Sequence, residues 1–286
     1  MMQAVAGVER TRPVLAARGG RTGLPDALHA EWTKLRTLAA TWWLLAAAAA
    51  LTVAVSAAVS LAVQCRLSGC APAQTGADPA RISLAGVDLG QAVVALLAGN
   101  AVGGEYGTGM IRVTLAATPR RLTMLAAKAV VVTGWALAAG IVAVLGSVLA
   151  GRLILPGRGL SAANGYVLVS LGNGPGLRAA LGSVLYLALI ALLALGVTAA
   201  VRDSAAGVGL VLGLLYLFPI VSSVIPDHVL ARHLEQIAPM TAGLDIQATT
   251  GLRSLPLTPW QGLGVLAAWA AAALVLGGLL LRLRDA

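Results

Sequence analysis

Side chains able to do chemistry are few in this sequence, so each can be weighed singly. His228, His233 and Glu235 have a spacing that could hold a metal ion. The reading adopted for them is an exposed amphipathic loop helix with Leu230, Leu234 and Ile237 buried, and no metal. Cys65 and Cys70, in Cys-Arg-Leu-Ser-Gly-Cys, can close a small disulfide ring in an oxidising compartment, or stay as two unpaired thiols. The only lysines, Lys34 after Thr33 and Lys128 after Ala127, cannot belong to the Gly-Lys-Ser/Thr element that cradles a nucleotide's phosphates. Asp88, Gln91 and Asn100 are the polar groups of one apolar stretch, and on a single helix they do not all share a face. Asp88 would line a substrate path or be solvated at an interface. No catalytic residue emerges from this inventory, and no cofactor is expected in the chain itself.

These residues sit among very apolar blocks. With 58% hydrophobic and 11% charged residues the chain is far from an ordinary soluble domain, where about a quarter of residues are charged. A helix needs about 20 apolar residues to cross the hydrocarbon layer. Six stretches qualify, roughly 41–63, 82–104, 123–150, 179–201, 204–225 and 260–281, the fourth and fifth joined by little more than Arg202-Asp203. The expected fold is therefore all-α: a single transmembrane domain over 26–286 with six transmembrane helices, preceded by a disordered cytoplasmic tail over 1–25. Proton- or ion-coupled carriers keep ionisable groups deep in the membrane. These spans hold almost none, with Asp88 near the outer end of the second and Lys128 near the inner end of the third.

Thirteen of the 20 lysines and arginines fall on the side of the termini, which predicts both termini in the cytoplasm of a multi-pass cell-membrane protein. The formal charge of +9 reflects arginines facing anionic lipid in the bilayer. It does not indicate nucleic acid, because no basic stripe with interleaved aromatics is present.

Three polar segments punctuate the spans. Asp26, as N-cap, opens a helix whose Leu28, Trp32, Leu35 and Leu38 share a face, with His29, Glu31, Lys34 and Arg36 pointing elsewhere. Such a helix lies in the membrane interface, and Trp42 and Trp43 anchor the span that follows. The second segment runs from Glu105, Tyr106, Gly107 and Thr108 through Met110, Ile111, Arg112 and Leu115 to Thr118-Pro119-Arg120-Arg121. Met110, Val113, Thr114 and Ala117 share one helical face there. It is too polar for lipid and too apolar for a free loop, and Thr118-Pro119 restarts the chain as the third span. Glu105 would cap this short helix or bind an inner arginine such as Arg112. The third segment, Ile237 to Gly243 with Pro239, divides the last long loop into two short pieces.

At these residues the chain resembles the permease subunits of ABC-2 type ABC transporters, particularly those of actinobacteria. The resemblance rests on Glu-Trp-Thr-Lys-Leu-Arg leading into the first span and on Gly-Glu-Tyr…Gly-Thr…Ile-Arg followed by Pro-Arg-Arg between the second and third. It covers most of the chain in order and spacing. Gly107 departs from it, standing where that family often has a polar or basic residue. The resemblance implies an exporter subunit that pairs with a second permease and docks on a separate ABC ATPase subunit, which binds ATP and Mg. It also implies that Glu105 to Ala117 acts as the coupling helix, with Asp26–Leu38 transmitting its motion. The alternatives are a membrane-embedded lipid-modifying enzyme and a non-transporting immunity or structural membrane protein on the same scaffold.

Overall fold

The computed structural model describes residues 23–63, 77–107, 109–110 and 121–283. The tail before residue 23 lies outside these, as do Cys65, Cys70, Thr108, Ile111, Arg112, Leu115 and the Thr118-Pro119 restart.

Ten α-helices are formed by the described residues: α1 Leu24–Thr37, α2 Ala39–Ala62, α3 Pro79–Leu84, α4 Val87–Gly107, α5 Arg121–Ile154, α6 Gly174–Val201, α7 Ser204–Val224, α8 His228–Ile237, α9 Pro239–Leu244 and α10 Pro259–Leu283. Six helical segments are long and apolar enough to cross a membrane: α2, α3 with α4, α5, α6, α7 and α10. The protein is all-helical and multi-pass. Its apolar runs choose helix because every backbone N–H and C=O is then satisfied within the segment, which a hydrocarbon solvent demands.

Helix ends follow local chemistry. Asn173 caps α6 by accepting from Gly176 N at 3.0 Å, and Pro175 occupies its first turn. Arg202 closes α6 in the left-handed region at φ 65°, and Asp203 at once caps α7 through Ala206 N at 2.7 Å. Spans 4 and 5 thus form a hairpin on two residues. Asp26 is not the N-cap of α1. That position belongs to Gly23, and Asp26, in the first turn, accepts from Gly23 N at 2.9 Å. Span 2 starts earlier than its hydropathy suggests, because Asp78 caps the short α3 through Ala80 N at 2.9 Å. The chain then bends at Ala85–Gly86, where Gly86 N donates to Ser56 Oγ at 3.0 Å. Span 3 continues to Ile154 before two short 3-10 turns.

The core is built around α6. The most apolar 18-residue window of α6 is 67% buried, against 22% for α7 and 28% for both α2 and α10. Its closest neighbour is α10, and glycine permits the approach. A Cβ on Gly196 would lie 2.6 Å from the Ala273 carbonyl carbon, and one on Gly277 would lie 2.6 Å from the Gly196 oxygen. Small residues at the crossing let two backbones touch, the usual device of membrane helices.

Two ends of the bundle carry most of its short helices and polar side chains. One carries α1, the start of α5 and the end of α4. The opposite end carries α3, α8, α9 and the segment leading into α10.

Candidate functional site

At the first end, α1 buries a face only partly shared with the apolar one read in the sequence. Ala27, Glu31 and Leu35 are buried, while Trp32 is 42% and Leu38 45% exposed. Positions i, i+4 and i+8 lie on one face of a helix, so burying Ala27 and Leu35 carries Glu31 inward with them. The expectation that Glu31 points elsewhere is therefore corrected, and the burial is stabilised by a partner.

That partner is Lys128 of α5, only 1% exposed. Its ammonium donates to Glu31 Oε2 at 2.8 Å, to Glu105 Oε1 at 2.7 Å and to the Ala101 carbonyl at 3.3 Å. An ammonium has three N–H donors, and all three are used. Lys34 also donates to Glu105 Oε1. Burial, with the nearby Lys128 charge, holds the Lys34 ammonium below its usual lysine range. Two lysines, the only two in the chain, and two glutamates make a neutral cluster across α1, α4 and α5. Glu105 thus pairs with both lysines; Arg112 and most of the linker that it is expected to bind or cap lie outside the described residues.

Aromatic packing reinforces the joint. Trp32 stacks on Trp135 of α5 with centroids 4.8 Å apart and planes 9° from parallel. Trp42 meets the same ring edge-on at 5.1 Å and donates from Nε1 to the Arg36 carbonyl at 2.9 Å. Trp43, by contrast, is 76% exposed, as an interfacial anchor would be. Tyr106 lies under the Arg202 guanidinium, 5.9 Å from carbon to ring centroid, which ties the end of α4 to the hairpin of spans 4 and 5. Gly107 and Met110 are exposed where the chain leaves α4, and Arg36 is exposed on α1. A groove of about 340 Å³ runs beside the cluster, lined by Lys34, Leu38, Leu97, Glu105 and Met110 among others.

The opposite end holds a second polar concentration. Gln91 of α4 is fully buried, accepts from Tyr186 Oη and donates from Nε2 to the Asp88 carbonyl at 2.9 Å; Tyr216 Oη donates to that same carbonyl. Asn100 is exposed on another face of α4, so the three polar groups of this span do not converge. Asp78 accepts from Thr249 N at 2.5 Å, Thr249 Oγ1 at 2.7 Å and Thr250 N at 3.0 Å, which pins the last loop to α3. Arg81 pairs with Asp245 at 2.5 Å. Burial pushes the Asp245 carboxyl up, against the opposing pull of Arg81, and the nearby Glu235 charge adds to the rise.

Between these elements lies a cleft of about 580 Å³, bounded by Asp88, Glu235, Asp245, Gln247 and Pro219 within α7, among others. The α8 helix does not bury the apolar residues expected of it: Leu230 is 50% and Ile237 57% exposed, and only Leu234 is half-buried. What α8 does contribute is Glu235, half-buried at the cleft, while His233 is exposed. No protein-family model matches the chain, and no curated protein matches it.

Proposed function

We propose that the chain is the membrane-spanning permease subunit of an ATP-driven ABC-2 type exporter, paired with a second permease subunit and driven by a separate ABC ATPase. Both termini, and the end bearing the lysine–glutamate cluster, face the cytoplasm of the cell membrane in this reading. The segment from Glu105 onward is the coupling helix that docks on the ATPase, and ATP and Mg belong to that partner. Closure of the ATPases moves the coupling helices, and the bundles rock as rigid bodies.

The observation that carries this reading is the cluster itself. A segment that transmits force must begin on a rigid joint, and Glu105, its first residue, is bound to Lys34 of α1 and Lys128 of α5. A push on the segment is thereby shared by α1, α4 and α5, and Tyr106 extends it toward the α6–α7 hairpin. The sequence segments Glu-Trp-Thr-Lys-Leu-Arg and Gly-Glu-Tyr supply three of the four charges of that joint.

The test is co-purification of the tagged chain with ATPase subunits from the same cell, with and without Ile111→Asp. An ATPase that co-purifies with the wild type and is lost from a correctly inserted Ile111→Asp protein supports the proposal. Undiminished association in that variant, or no ATPase under any nucleotide condition, defeats it.

A further inference from the structure

The cleft at the end opposite the cluster has the chemistry of a binding site, and nothing in the coupling role uses it. Its volume of about 580 Å³ lies in the range of small-molecule sites, roughly 300–1,000 Å³. Apolar walls come from Ala85, Pro219, Met240, Leu244, Leu255 and Pro256. Its charges do not balance. Arg81 pairs with Asp245 and its charge also reaches Asp88, so one cation faces three carboxylates, and those of Asp88 and Glu235 have no hydrogen-bond or ion-pair partner within bonding distance among the described residues. A separate observation points to a ligand. Gln247 is only 4% exposed, lines the cleft, and its buried Nε2 donor is unpartnered. A buried donor left without an acceptor is costly, so such groups are normally satisfied.

We infer that this cleft binds an amphipathic organic cation: an apolar body, a positive charge met by Asp88 and Glu235, and a hydrogen-bond acceptor met by Gln247 Nε2. The apolar walls hold the body, since desolvating it is the favourable term, and the two carboxylates select the sign of charge. Asp88 is held in place from behind, because its backbone carbonyl is fixed by Gln91 and Tyr216. Glu235 approaches from α8, whose Gln236 donates to the carbonyl of the cleft residue Pro256 at 3.1 Å. Calling this cation the exported substrate rests on the permease reading above; its binding to the chain does not.

The experiment uses the full chain alone in nanodiscs of phosphatidylcholine, with empty discs subtracted. Two fluorescent xanthenes of similar ring system are titrated and followed by anisotropy: rhodamine 6G, a cation with an ester acceptor, and fluorescein, an anion. The expected result is saturable rhodamine 6G binding and none of fluorescein. Asp88→Asn and Glu235→Gln each weaken rhodamine 6G by about tenfold, the size expected for losing one charged contact. Asp88→Glu, which keeps the charge, retains binding. Glu235 lies on a peripheral helix, so its variant tests the site even where substitution within α4 harms folding. Fluorescein bound as tightly as rhodamine 6G overturns the proposal, as does rhodamine 6G binding unchanged in folded Glu235→Gln. Because no ATPase is present, either result stands apart from the co-purification test.

Discussion

Glu105 and Asp88 sit on the same helix, separated by roughly 25 Å at about 1.5 Å rise per residue, and their surroundings are opposite in kind. Glu105 is 4% exposed and engaged by two lysines in a neutral set. Asp88 is half-buried beside an open cleft, with its backbone anchored and its carboxylate unpartnered among the described residues. The difference separates two uses of charge in a membrane protein. A closed set of opposite charges in low dielectric fixes geometry, because any rearrangement strands an ion. An unpaired charge at a cleft is tolerable only where water or a ligand reaches it, and it then discriminates among ligands. In the proposed reading the first end holds its shape under load and the second receives a ligand.

The comparison predicts very different sensitivities at the two ends. The largest effect belongs to Lys128→Met, which strands Glu31 and leaves Glu105 with Lys34 alone. Removing one member of a buried pair costs on the order of 3–5 kcal/mol, so the variant should lose most of its monodisperse fraction in detergent or melt far below wild type. Adding Glu31→Met should recover part of the loss, because Lys34 and Glu105 then remain as a neutral pair. A double variant no better than Lys128→Met alone would break the account of the cluster as a balanced set. A smaller effect, about 1–2 kcal/mol, is expected for Trp32→Ala, which removes the stack on Trp135 but leaves every charge paired. Thermal unfolding read at the remaining tryptophans measures it, and a loss as large as that of Lys128→Met would shift the joint's stability from charges to aromatics.

The six spans and the two-residue hairpin at Arg202-Asp203 are visible in the sequence, because membrane-crossing helices need long uninterrupted apolar runs. The joint is less visible. Hydropathy gives Leu28, Trp32, Leu35 and Leu38 as the apolar face of α1; Leu35 is buried and Trp32 stacks on Trp135 of α5, but Ala27 and Glu31 are buried as well. Hydropathy assigns Glu31 to water, and only a partner at Lys128, 97 residues away, reverses that. One signal was present: Lys128 stands inside an apolar run, and a buried ammonium requires carboxylates, of which few lie near span ends on that side. The cleft is less legible still. Asp88, Glu235 and Asp245 are brought together by α8 and α9, whose short lengths leave little periodic signal, and by the Asp78 clamp on Thr249.

The smallest effect sharpens the contrast from the other side. Arg81 and Asp245 make the one ion pair at the cleft among the described residues, but the Arg81 side chain is 44% exposed. Such half-solvated pairs contribute about 1 kcal/mol or less, so Arg81→Gln should lower stability only slightly at neutral pH. The deficit also has a sign with pH. Burial already raises the Asp245 carboxyl while Arg81 pulls it down, so losing Arg81 raises it further. A carboxyl raised by folding favours its protonated form in the folded state, and the deficit is therefore fully present above the raised value. It fades as pH falls through that window toward the unfolded value of about 3.9. Melting wild type and Arg81→Gln side by side at about pH 8 and about pH 4.5 should show the gap narrowing at the lower pH. A gap that is large and independent of pH would mean that Arg81 holds this end of the bundle by packing or by a structural bond, and the two ends would then differ less than their charges suggest.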